Sequence, residues 1–191
     1  MDRRFLNAYV DPAPFRLLGR NLFPWCLKYR VRLMAFESPL VVPGKDVTPA
    51  DLLFACMVCA EEPLGEVGII DRLRLSRLND NPAKFHILLN AFAGYILVDN
   101  WPKFWEQTHK KGQPGNKGIP WPLAVVANLV ACGIEEKRAW EMPECQAIWL
   151  NSALAIRKGA DVAIMSPEEE AFIASEEAKE AASNPAKEKT D

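Results

Sequence analysis

Five cysteines, six tryptophans and one glycine-rich stretch are the features of this 191-residue chain that could carry chemistry. Cys56 and Cys59 form a C-x-x-C, the spacing of a redox pair or of half a zinc site. A redox pair needs its first thiol at a helix N-terminus behind a strand, where the dipole lowers the thiol pKa. This pair instead falls late in an apolar helical stretch with no strand before it. Zinc needs four ligands, but no second C-x-x-C exists, and His86 and His109 lack ligand spacing. Cys26, Cys132 and Cys145 complete an odd count, and each cysteine sits in an apolar, helix-like context. All five therefore read as buried, reduced thiols acting as small hydrophobes. No metal or other cofactor is expected.

Gly112, Gly115 and Gly118 recur every third residue beside Lys110, Lys111 and Lys117. A phosphate-binding loop needs a strand before it and a helix directly after, so that backbone N–H groups converge. No strand precedes this one and the Walker pattern is absent, so residues 108–120 read as a mobile surface loop that a partner could order. Glu168, Glu169 and Glu170 could be taken for paired catalytic carboxylates, but such a pair needs desolvation to separate its two pKa values. Three adjacent glutamates opening a helix are better explained as solvated charges favoured by the dipole. No hydrolase, zincin or dinucleotide fingerprint occurs. The chain is expected not to be an enzyme.

The tryptophans are Trp25, Trp101, Trp105, Trp121, Trp140 and Trp149. Burial in a core accounts for most of them, but tryptophan is also enriched among interface anchors. Trp101 and Trp105 are four apart, which places both on one face of a short helix over 101–107. Trp121 follows on a proline-flanked turn, across the glycine-rich loop. Trp101, Trp105 and Trp121 are thus the candidate partner-binding residues.

The elements that must position these residues read as helices. Pro24 suits the first turn of a helix over 23–37, with Leu27, Val31, Met34 and Ala35 at helical spacing. Thr48-Pro49-Ala50-Asp51 is a strong helix start, with Thr48 as N-cap and Asp51 closing a capping box. The helix it opens, 49–60, is apolar almost all round and belongs in the middle of a core. Further helices are expected over 67–77, 82–98, 120–133, 135–141 and 143–159. The 82–98 helix should bury Phe85, Leu88, Leu89, Phe92 and Ile96. Gly133 and Gly159 cap their helices. Ser166-Pro167-Glu168-Glu169 starts a helix to about residue 182. Residues 183–191 have almost no apolar side chains and should be disordered. No run shows sustained β alternation and no internal repeat is visible. The fold reading is all-α, a single helical domain of about seven helices over 1–165, followed by an acidic helix and tail over 166–191. Helices 49–60 and 120–133 are expected to be the most buried.

A composition of 49% hydrophobic and 25% charged residues excludes a wholly disordered chain. A formal charge of −2 argues against a bulk basic nucleic-acid binder. The charge is uneven, with a basic front over 1–34 and an acidic end from Ser166 onward. The longest apolar runs, 52–60 and 123–132, are far short of the roughly 18–20 residues of a membrane span. With no signal peptide visible, a cytoplasmic location is expected.

Two stretches carry a resemblance. The first is Pro14-Phe15-Arg16-Leu17-Leu18-Gly19-Arg20 through Pro24-Trp25-Cys26-Leu27, then Ser38-Pro39-Leu40 and Thr48-Pro49-Ala50-Asp51-Leu52-Leu53. The second is Gly118-Ile119-Pro120-Trp121-Pro122-Leu123, then Trp140-Glu141-Met142-Pro143-Glu144. Their layout, over about two thirds of the chain, resembles the tail assembly chaperones of long-tailed phages and prophages. That resemblance implies a helical, non-catalytic protein of the host-cell cytoplasm. Its partner would be the tape-measure protein or another tail protein, kept soluble until tail-tube subunits polymerise around it, with self-association a further implication. The competing reading is a prophage-encoded regulator or nucleic-acid-binding helical protein whose footprint is the basic helix carrying Lys28, Arg30 and Arg32. A gene position between the major tail protein and a very long tape-measure gene would separate the two.

Overall fold

The computed structural model describes residues 2–10, 15–65, 67–96, 101–105, 118–160 and 163–183, with side chains described as far as Lys179. Among them the chain forms nine α-helices and one two-stranded hairpin. The fold is therefore mainly α, and the all-α expectation needs one correction. Strands β1 (Phe15–Leu17) and β2 (Arg20–Leu22) pair antiparallel, with Phe15 opposite Leu22 and Leu17 opposite Arg20. The Leu18-Gly19 turn between them has positive φ at both residues, +48° and +74°, which is what a two-residue hairpin loop of matching twist demands. Leu17, Arg20 and Leu22 are buried while Arg16 and Asn21 face water.

Helix α1 (Arg3–Ala8) is capped by Asp2, whose carboxylate accepts from the backbone N–H of Arg4. Helix α2 (Leu27–Ala35) starts later than the sequence suggested. Pro24 lies outside it, because Cys26 forms an antiparallel bridge with Pro143 and the Trp25 carbonyl accepts from the Glu144 N–H at 2.9 Å. Helix α3 (Pro49–Cys59) has the expected reciprocal capping box between Thr48 and Asp51 and buries seven of its eleven residues. Helices α4 (Ile69–Asn79) and α5 (Pro82–Ile96) follow as a hairpin of helices. Phe85, Phe92 and Ile96 of α5 are buried, while Leu88 and Leu89 are only partly so.

Helix α6 (Trp121–Ala131), helix α7 (Glu136–Glu141) and helix α8 (Glu144–Arg157) form the second half. Gly133 and Gly159 close α6 and α8 at φ of +91° and +86°, conformations that glycine adopts without strain. Helix α9 (Pro167–Ser183) opens on a second capping box, with Ser166 and Glu169 exchanging bonds between side chain and backbone. Glu170 ties its first turn to both Arg4 and Lys103.

The larger core surrounds α3, where Leu52, Ala55, Cys56 and Cys59 meet the hairpin, α2 and α5. A second core joins α6, α7 and α8 around Val126, Leu129, Ala139 and Ala147, with Leu27 of α2 inserted. Helix α2 therefore belongs to both. A small third cluster packs Ala8 of α1 on Cys145 and Trp149 of α8.

Two further expectations are corrected. Residues 101–105 are not helical: Phe104 bridges Ile164, and the Trp105 N–H donates to the Ala163 carbonyl. Helix α6 is less buried than α3 and α8, because only one side of it is covered. The expected loop over 108–117, the helix ends at 97–98 and 106–107, and the tail over 184–191 lie outside the described residues.

Candidate functional site

The bridge between Cys26 and Pro143 sets Trp25 beside the start of α8, and Arg30 lies one turn into α2. Arg30 and Glu144, 114 residues apart, meet there. The Arg30 guanidinium donates through Nε and Nη2 to the two Glu144 carboxylate oxygens at 2.6 and 2.7 Å. The Glu144 side chain is 0% exposed and that of Arg30 is 16% exposed. Burial pushes the Glu144 carboxyl above its ordinary range, and the Arg30 charge pulls it back. Glu144 is also the first residue of α8, where the helix dipole favours an anion. The Trp25 indole N–H is aimed towards this carboxylate without reaching hydrogen-bond geometry.

Three of the tryptophans surround the same cation. The guanidinium carbon lies 5.3 Å from the Trp25 ring, 5.9 Å from Trp101 and 5.3 Å from Trp121, distances at which a cation is attracted to the ring face. Trp101 and Trp121 meet edge to face at 5.9 Å. Two of the three expected residues, Trp101 and Trp121, are thus brought together. Trp105 is not among the rings around Arg30, and it shares no helix face with Trp101. Its indole reaches towards Glu169 at the start of α9. Trp25, which sequence reasoning left in the core, joins the cluster through a bridge to residue 143 that no local pattern announces.

Trp121 is also the first residue of α6. Pro122, Val125, Val126 and Leu129 are buried, whereas Trp121, Leu123 and Val130 remain 42%, 47% and 40% exposed. Leu123, Ala127 and Val130 recur at helical spacing, so an uncovered apolar stripe runs along one flank of the helix, while Trp121 stands on the other flank of the buried face, about half a turn round from Leu123. On the other side of Arg30 an open cleft of about 310 Å³ lies between the 39–43 segment and α5, walled by Leu40, Val41, Pro43, Phe92 and Ile96.

Both Glu144 oxygens are occupied and closed to solvent, so this carboxylate has no route to a proton donor or acceptor outside. Burial pushes the thiols of Cys26 and Cys56 up to about 11 and about 12, and Cys59 higher still. None of these offers a thiolate near neutral pH. Cys132 is exposed, contrary to the expectation that all five cysteines are buried. It sits at the C-cap of α6, at the opposite end of that helix from Trp121. Among the described residues no group of three or more His, Cys, Asp or Glu is placed to hold a metal ion, and no helix is long and apolar enough to cross a membrane. Of the basic α2 residues, Lys28 pairs with Glu61 and Glu141 while Arg30 is committed to Glu144.

Compared with protein-family profiles, curated proteins and solved structures, the chain matches none.

Proposed function

We propose that this protein is a non-catalytic tail assembly chaperone that binds a helical, apolar-striped segment of the tape-measure protein. The observation that carries the reading is the half-covered state of α6. That helix is apolar on nearly every side, yet Trp121, Leu123 and Val130 stand open to solvent. An exposed apolar stripe of this kind marks a surface that a partner covers. A client helix with apolar residues at matching spacing would bury the Leu123–Val130 stripe, and the Trp101–Trp121 pair at the start of α6 would offer a second contact on the other flank. The Arg30–Glu144 pair beneath those rings fixes the platform they form. The nucleic-acid reading draws less support, because two of the three cations counted for it are engaged in internal ion pairs. Co-expression with a tape-measure protein, sought among the genes that neighbour this one, tests the proposal. The client should be recovered soluble with this chain and aggregated without it, and equal solubility in both cases would overturn the reading.

A further inference from the structure

We propose a second binding surface, distinct from α6: the outer face of α4 receives helix α9 of another copy of this chain. The inner face of α4 is fixed to the body by buried Leu78 and by Asp71, which pairs with Arg20 and Arg74. The outer face is correspondingly fixed in the open. Ile69, Ile70 and Leu73 on it are 80%, 66% and 55% exposed, an apolar patch flanked by the exposed Arg72 and Arg77. Monomeric proteins seldom leave aliphatic side chains bare in such a group.

The occupant is indicated by charge and by a matching bare helix. Helix α9 carries six glutamates against one lysine, opposite in sign to α4 with three arginines against one aspartate. No described side chain of α9 is buried, and its Phe172 is 65% exposed. Only Glu170 and Ile173 of its described side chains are partly covered, so the helix draws little stability from packing. Glu170 pins its first turn to Arg4 and Lys103, so the rest is presented outward from its own chain. Placed on α4 of a second copy, Phe172 would cover the isoleucine–leucine patch while Glu176 and Glu177 meet the arginines. Donor and acceptor surfaces differ, so the contact either repeats in series or, where two copies exchange α9 reciprocally, closes a two-fold dimer. This inference does not rest on the chaperone reading, since it needs no client.

Sedimentation velocity of the full chain across the micromolar range tests it. Wild type should associate as concentration rises, and less so at high salt. Phe172→Ala and Ile70→Glu/Leu73→Glu should each weaken association about tenfold or more. Every changed side chain is exposed, so the helical signal and melting temperature should hold. An equimolar mixture of the two variants should form dimers and no longer species, because one supplies an intact α4 face and the other an intact α9. A wild type that stays monomeric, a Phe172→Ala variant that associates as wild type does, or variants that fail to complement would each overturn the proposal.

Discussion

Replacing Glu144 by Ala removes the partner of a cation whose side chain is only 16% exposed. Breaking a buried pair from one side costs about 3–5 kcal/mol, because the remaining charge loses its compensation. Arg30 keeps some access to water and three aromatic faces, which places the expected loss at the lower end, about 3 kcal/mol. At a urea slope of about 2 kcal/mol/M this is a midpoint lower by about 1.5 M. Arg30→Met leaves the opposite problem, a carboxyl with 0% exposure and no cation. Its pKa, already raised by burial, then rises further. A raised carboxyl pKa contributes stability that is full below its unfolded value and is lost as pH rises through the folded one. Arg30→Met should therefore be least stable near neutral pH and recover on acidification towards the ordinary carboxylate range. The double variant Arg30→Met/Glu144→Leu removes both charges and should be more stable than the sum of the single losses by about 2 kcal/mol. Urea unfolding at several pH values reads all three. Additive losses, or an Arg30→Met variant whose stability does not change with pH, would refute the claim that the pair is a desolvated unit.

Further outcomes follow from other parts of the chain. Asp71 is held below its usual range chiefly by its hydrogen bonds from Arg20. Its contribution is present above the ordinary carboxylate value and lost as pH falls through its folded pKa, so Asp71→Asn should flatten the acid limb of a stability–pH curve. Thr48→Ala removes the α3 cap and should cost about 1 kcal/mol in thermal or urea unfolding. Gly19→Ala should cost about 1 kcal/mol or more, because φ is +74° and a Cβ would stand 2.5 Å from an Arg74 nitrogen. In a native thiol titration Cys132 should react first, with Cys26, Cys56, Cys59 and Cys145 released only on unfolding.

The legible parts of this chain were those whose physics is local. Thr48 with Asp51, and Ser166 with Glu169, close their capping boxes within three residues, so the starts of α3 and α9 stand where the sequence places them. Gly133 and Gly159 mark helix ends for the same reason. The hairpin was not legible because strands of three residues are too short to display alternation. Trp101 and Trp105 suggested a helix by spacing alone. Their segment instead pairs with residues 163–165, a partner some 60 positions away. The same distance problem hid the centre of the site. Nothing near Arg30 points to Glu144, and only the Cys26–Pro143 bridge brings the two within bonding reach. Helix α6 misled in an instructive way, since a helix that is apolar all round reads as buried, and an uncovered side becomes visible only once its neighbours are in place.

The most direct measurement of the central claim is the affinity of Leu123→Glu/Val130→Glu for a purified helical segment of the tape-measure protein, set beside wild type. Both side chains lie on the bare side of α6, so the variant should fold as wild type does. The account predicts affinity lower by at least tenfold, corresponding to about 1.4 kcal/mol or more. An unchanged affinity, with the client still held, would contradict it.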